Sequence, residues 1–267
     1  MTAGQLDPWR SSTELDDERA LELARLIELR GEAPEEVAAR RAYLDLLGIG
    51  PGQRVLDVGC GTGVVTRSIL ARVTPGGSVV GVDAQPALLR VACEHTPGAE
   101  FRLGDASSLP FADSRFDVVV CATVLEHMPN AERAVPELVR VAKSGGRVGV
   151  LCGDQESFIV AHADRPLTRR ILDAFVELRF ANPWIGRDMP ALLEHAGLRD
   201  VHVRAFPTLD RDPRRFAAHA ARLRADIALQ AGAVTNEEHT RWLAQLDARP
   251  DAFLAGATYI FTWGLRN

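Results

Sequence analysis

The 267 residues hold only four cysteines, Cys60, Cys93, Cys121 and Cys152, with no C-x-x-C pair and no histidine at zinc spacing. That scatter excludes a disulfide framework and a structural zinc site. Three of the thiols fall in or beside predicted buried strands, where cysteine acts as a small hydrophobe, and the set fits a reducing cytoplasm. Lysine is nearly missing, since Lys143 is the only one among 31 basic residues. Acidic residues number 36 and the formal charge is −5, which argues against general nucleic-acid affinity, a property of basic surfaces. Long apolar runs are missing too. Val118 to Leu125, one threonine included, is too short to span a bilayer. The opening residues carry Asp7, Arg10 and Glu14 where a secretory signal would have an apolar core. No repeat or low-complexity tract breaks the chain, whose length allows one large domain or two small ones.

What is present is concentrated in Val55-Leu-Asp-Val-Gly-Cys-Gly-Thr-Gly63. Val55, Leu56 and Val58 suit a strand buried on both faces. Gly59, Gly61 and Gly63 then let a ligand approach the backbone closely. Val64 to Val73 has helical length, so the turn aims free backbone N–H groups at whatever sits there. The dinucleotide fingerprint G-x-G-x-x-G would need glycine where Val64 stands. Asp57 would repel a pyrophosphate but suits a ligand presenting an ammonium or hydroxyls. Val79 to Asp83 is a second apolar strand ending in an acid, about 20 residues on, where α/β nucleotide folds place the acceptor for ribose hydroxyls. The competing reading of Asp83 is a helix-capping acid before Gln85 and Pro86.

The string VLDVGCGTG resembles the first motif of the class I S-adenosylmethionine-dependent methyltransferases, and later stretches follow that family's order. Glu100 to Leu103 is a third strand, followed by Gly104-Asp-Ala106. Phe116 to Thr123 is a fourth, leading into Val124-Leu-Glu-His-Met128. Gly145 to Leu151 is a fifth, opened by Ser144-Gly145-Gly146 where the family more often has Pro-Gly-Gly. The resemblance covers about residues 50 to 155. It implies an α/β, doubly wound, mostly parallel seven-stranded sheet with a C-terminal antiparallel hairpin and helical lid insertions. It also implies S-adenosylmethionine as cofactor, held by Asp57, Gly59, Cys60 and Gly61, then Asp83 and Ala84, then Gly104, Asp105 and Ala106, with Ala122 beside them. Asp105 would accept from the adenine amine. The implied function is methyl transfer to the O, N or C atom of a small organic acceptor, as in quinone biosynthesis or secondary metabolism. Two alternatives stand beside it: a protein that keeps the cofactor without methyl transfer, as a binding module or cyclisation catalyst, and an NAD(P)-dependent oxidoreductase.

Outside the motifs, Ser11 with Glu14 predicts a capped helix to about Arg30, stopped by Gly31, and Pro34 opens a second through Leu47, closed by Gly48, with Val37, Leu44 and Leu47 on one side. Residues 1–48 would form a helical cap carrying Trp9 and Tyr43, and 49–267 the methyltransferase domain. Lid insertions are expected at about 153–190, with Gly153 to Pro166 as loop, and at about 207–250, and Val201 to Phe206 is expected as the sixth strand between them. His127 and His162 are the candidate general bases. Asp154 and Glu156 are expected to face the acceptor pocket, and Arg165, Arg169, Arg170 and Arg187 could hold an acidic acceptor, although a solvated face suits Arg169 and Arg170 better. The remaining histidines, including His219, read as surface or packing residues. Two neighbouring acids make a thin metal site, so metal-independent chemistry is expected, with no membrane partner and a cytoplasmic location.

Overall fold

The computed structural model describes Leu6, Asp7, Trp9 and residues 17–267. The Ser11–Glu14 capping pair lies outside the described residues. Strands β1 (Arg54–Val58), β2 (Ser78–Asp83), β3 (Glu100–Leu103), β4 (Phe116–Ala122), β5 (Ala142–Val160), β6 (Leu198–Asp210) and β7 (Ala255–Arg266) form one sheet in the order β3-β2-β1-β4-β5-β7-β6. The first five run parallel, and β7 lies antiparallel between β5 and β6. This is the implied doubly wound sheet with its antiparallel closing pair.

The alternation of side chains along each strand divides the core between two faces. Leu56 and Val58 of β1, Val119 and Cys121 of β4, and Val148 and Val150 of β5 pack with helices α5 (Ala131–Val141) and α7 (Ile185–His195). Val55, Val79, Val118 and Val120 point the other way, against α2 (Pro34–Leu46) and α3 (Val64–Val73). Leu44, Leu47 and Ile69 are fully buried there, each contributing about 1.5–3 kcal/mol of transfer free energy. Helix α4 (Pro86–His95) connects β2 to β3.

A second core lies beyond the ends of the long strands. Helices α6 (Arg165–Arg179), α8 (Phe216–Gln230) and α9 (Asn236–Asp247) close around Trp242, with Phe158, Phe253 and Ala255 beneath. The Trp242 indole donates to Thr168 Oγ1 at 2.9 Å, satisfying its one polar atom.

Four expectations need correction. Helix α1 (Asp17–Glu32) runs through Gly31 instead of stopping there. A Cβ on Gly31 would stand 2.7 Å from Val64, so this glycine serves the close approach of α1 to α3. In α2 the buried stripe is Ala39, Tyr43 and Leu44, continued by Leu47. Val37 lies two residues from Ala39, about 200° around the helix, and is 43% exposed. The stretch from Gly153 is not loop, because β5 continues to Val160 and pairs Ile159 and Val160 with Gly256 and Ala255 across a register shift. Strand β6 likewise extends to Asp210 instead of Phe206, and carries the sheet out to the second core.

Candidate active site

The glycine turn stands at the carboxyl edge of the sheet, and its geometry follows from crowding. Gly59 has φ 71°, and a Cβ there would meet Val124 Cγ2 at 2.1 Å. Only glycine lets the loop after β1 lie against the loop after β4. Gly63 heads α3 without a side-chain cap, which leaves the first-turn N–H groups to the cavity side. The cavity in front of this turn measures about 450 Å³ and is lined by Gly59, Cys60, Gly61, Asp83, Ala84, Gly104, Asp105, Ala106 and Ala122. Nine of the ten residues expected to hold the cofactor therefore meet at one wall. Ile27 and Arg30 from α1, and Arg40 and Tyr43 from α2, supply the opposite side.

Asp57 is the exception. Alternation along β1 turns it with Val55 toward α3, where its Oδ2 accepts from Thr66 Oγ1 at 2.6 Å. Burial, with Asp83 adding repulsion, pushes its carboxyl up to about 7. Asp57 thus ties β1 to α3 underneath the turn instead of lining the cavity. Asp83 does line it. Its Oδ2 accepts from Gly61 N–H at 2.8 Å and its Oδ1 from Gln85 N–H at 2.9 Å, so it both caps and holds the glycine loop. Burial raises its carboxyl despite those bonds. Asp105 accepts from the Ser107 backbone and hydroxyl, both at 2.8 Å, which fixes it at the far wall.

A second chamber of about 180 Å³ opens beside the first. Both are lined by Trp9, Ile27, Arg30, Glu36, Thr123, His127 and Tyr259, which form the neck between them. Thr123 sits at the end of β4 with φ 56°, a conformation costly for a β-branched residue. Its Oγ1 accepts from Arg30 at 2.9 Å. The Tyr259 hydroxyl donates to Glu36 at 2.8 Å. Burial drives both that phenol and the Glu36 carboxyl upward, with Arg30 opposing. His127 closes a one-turn 3-10 helix, Leu125–His127, and its Nδ1 stands 2.7 Å from the fully buried Asp7 carboxylate. Asp7 also meets Arg179 at 3.3 Å. The ring of His127 packs against Phe180 at 5.2 Å and Trp9 at 6.0 Å.

Comparison with known proteins agrees with this layout. The family described as "Methyltransferase domain" matches residues 56–150. Over 232 residues the chain is 31% identical to an uncharacterized 37.1 kDa protein in a transposon of Streptomyces fradiae, covering 82% of this chain and 66% of that one. Over 111 residues it is 39% identical to the demethylmenaquinone methyltransferase of Renibacterium salmoninarum, covering 42% of this chain and 46% of the relative. The chain thus spans less than the full length of both relatives. The solved structure of YcgJ from Bacillus subtilis superposes with a TM-score of 0.58 at 18% identity, over 86% of this chain and 98% of that one, and shows the same fold. Residues 56–150 thus match a methyltransferase domain, on the fold that the solved structure shares. The matched segment contains the glycine turn and the strand-end acids. Of the second chamber it contains only Thr123, Glu126 and His127.

Several residues expected at an acceptor site lie elsewhere. His162 stacks on Trp242 at 4.6 Å, and its Nε2 lies 3.0 Å from the Trp242 carbonyl. Its Nδ1 accepts from Asp164 N–H at 3.1 Å. Both ring nitrogens are committed to the second core, so His162 is a packing residue. Asp154 and Glu156 point to α7 and pair with Arg187 at 2.7 and 2.9 Å. Strand alternation sends Gln155 between them into the chamber instead. Arg170 pairs with Glu238, while Arg165 and Arg169 border a separate groove between β5 and α6. His219, read as a surface or packing residue, lines the second chamber from α8. Sequence reasoning also missed Arg30, Glu36, Glu126, Asp210, Arg224 and Tyr259. Glu126 had one usable signal, being an acid directly before His127 at the end of an apolar strand. Asp7 was read only as an early charge. Among the described residues no group of three metal-ligating side chains gathers.

Proposed function

We propose that this chain moves a methyl group from S-adenosylmethionine to a small organic acceptor held in the second chamber. The observation that carries the reading is the junction itself. A cradle of backbone and strand-end carboxylates opens, across Thr123 and His127, into a separate pocket with its own polar lining.

The residues present fit the cofactor. Gly59 and Gly61 leave the backbone open where a Cβ would crowd Val124 or Ile27. Each carboxylate oxygen of Asp83 keeps a lone pair for a ribose hydroxyl after accepting one backbone N–H. Ile27, Leu88 and Ala106 offer an apolar slot for a purine beside Asp105. When bound, the cofactor supplies an electrophilic methyl carbon on a sulfonium. The chain's own part is positioning and proton handling. Holding two reactants at a shared neck converts a bimolecular encounter into an effectively unimolecular one. The Asp7 carboxylate at Nδ1 favours the tautomer that leaves the Nε2 lone pair of His127 free to take an acceptor proton. Arg30, held on Thr123 and facing Glu36 and Tyr259, fixes the α1 side of the neck. The charge of −5, and the fact that no described helix is long and apolar enough to cross a membrane, support a dissolved small molecule in the cytoplasm as the acceptor.

Calorimetry with S-adenosylhomocysteine is expected to show saturable binding at micromolar level or better, worth roughly 8 kcal/mol. Mass spectrometry of acceptor mixtures should then show a methyl-sized gain that depends on the cofactor. Saturable NAD binding without S-adenosylhomocysteine binding would replace the reading with the oxidoreductase alternative, and cofactor binding without any methylated product with the non-transferring one.

A further inference from the structure

The second chamber has an imbalance that the methyl-transfer reading does not use. Among its lining residues, the buried side-chain atoms without a hydrogen-bond partner in the protein are Glu35 Oε2, Glu126 Oε2 and Asp210 Oδ2. All three are carboxylate oxygens, and none is a donor. Glu126 is 1% exposed and Asp210 5%, so neither oxygen is turned to bulk solvent. The partners they do have engage their other oxygens. Glu126 Oε1 accepts from Gly153 N–H at 3.2 Å. Asp210 Oδ1 accepts from Asp212 N–H at 2.9 Å and faces Arg215, which also reaches Glu35 Oε1 at 4.0 Å.

The arginines lining the chamber make no hydrogen bond to these oxygens, although Arg30 favours the charged form of Glu126 from a distance. Arg224 lies between the rings of Phe158 at 3.5 Å and Phe175 at 4.2 Å and donates to the Ala220 carbonyl. Arg179 is engaged by Asp7 and the Leu6 carbonyl. Arg30 donates to Thr123. A buried carboxylate oxygen left without a donor is costly, so a chamber that gathers three of them is matched to a ligand that brings donors and positive charge. The rest of the lining is apolar, with Leu26, Phe180 and Leu223 among it.

We infer that the acceptor is an amine on a compact apolar body, its positive charge matched by the carboxylates of Glu126, Glu35 and Asp210 around the second chamber. This rests on that chamber being the acceptor site of the proposed methyl transfer. The chemistry balances with the groups at the neck. The bound ammonium gives one proton to Nε2 of His127 and becomes a neutral amine. Its nitrogen lone pair forms the new N–C bond while the C–S pair leaves with sulfur, and the product is a methylated ammonium beside a neutral thioether. A quinol-like acceptor would bring hydroxyl donors but no positive charge to three carboxylates whose outer oxygens the protein leaves without a donor.

The test uses the full chain saturated with S-adenosylhomocysteine and three matched probes: 2-phenylethylamine, 3-phenylpropionate and 2-phenylethanol. Calorimetry is expected to show saturable binding of the amine and binding of the other two weaker by about tenfold or more. Glu126→Gln and Asp210→Asn, which keep shape and remove charge, should each weaken the amine by about tenfold with the affinity for S-adenosylhomocysteine unchanged. Should either variant fold poorly, Glu35→Gln at the half-buried rim carries the same expectation. Tighter binding of the carboxylate or the alcohol, or amine affinity indifferent to all three substitutions, would overturn the inference while the cofactor reading stood. Failure of S-adenosylhomocysteine to bind at the outset would overturn the methyl-transfer reading instead.

Discussion

The two chambers share a neck but are built by different means. The first is made where parallel strands stop, from the backbone of the Gly59–Gly63 turn and from acids at the ends of β2 and β3. The second is made from side chains on α1, α2, β5, α6, β6, α8 and β7, elements that meet only after the sheet has closed. Strand ends come in fixed order and present backbone donors whatever the neighbouring side chains are, so one ligand can be served by a short contiguous pattern. A pocket walled by side chains from seven elements can be altered one position at a time. The difference separates a generic half of the molecule from a particular one.

The largest effect that sharpens this comparison is expected at the neck. If His127 removes the acceptor's proton, His127→Ala should lower turnover about 10²- to 10⁴-fold with affinity for S-adenosylhomocysteine nearly unchanged. Asp7→Asn should lower it less, since the ring survives and only its orientation is lost. Equal turnover in both variants and the parent would leave proximity alone to carry the transfer.

On the first chamber's side, Gly59→Ala should cost about 2–4 kcal/mol of stability, combining a positive φ with a 2.1 Å clash against Val124. Val124→Ala should restore part of that loss, and a denaturation series of the two single variants and the double reads the coupling directly. Additive losses would mean that the loops do not lean on one another. Asp83→Ala should weaken S-adenosylhomocysteine about 10- to 100-fold, because it removes both the proposed ribose acceptor and the tie to Gly61 N–H. An unchanged affinity with a normal melting curve would make Asp83 a helix cap only.

A smaller effect distinguishes Asp57 from the cavity acids. Its carboxyl is raised in the fold to about 7, so between its unfolded pKa and that value the native state binds more protons than the unfolded chain. Stability from this group is full below about pH 4 and is lost as pH rises toward 7. Asp57→Asn removes the titration, and its stability relative to the parent should improve by about 2 kcal/mol from pH 5 to pH 8. A difference constant with pH, by urea denaturation at the two values, would contradict the buried-acid account. Smallest of all, Val37→Ala should change stability by less than about 0.5 kcal/mol, whereas Leu44→Ala on the same helix should cost about 2–5 kcal/mol.

The legible part of the molecule follows the same division. Helix α3 and strand β3 occupy the residues their patterns indicate, because short apolar strands and glycine turns carry local signals. Nine of the positions expected to hold a cofactor line one cavity, since each sits at or just past a strand end. Gly31 misled because a helix-stopping residue was in truth a packing residue. The Gly153 to Val160 stretch misled because its run of polar residues suits a loop as well as it suits the part of β5 that continues past β4 and pairs with β7 alone. His162 misled because nothing in its neighbours announces Trp242, 80 residues later, as the ring it stacks on.

The sequence by itself determined the sheet, the glycine turn and the match of residues 56–150 to a methyltransferase domain, since strand periodicity, turn chemistry and the order of motifs are properties of neighbouring residues. Only the tertiary structure decided that Asp57 faces α3, that Asp7 reaches His127 across 120 positions, and that Glu35, Glu126 and Asp210 share one chamber. Those facts depend on which elements meet and which face of each turns inward. That is settled by burial of the core as a whole, and no local pattern records it.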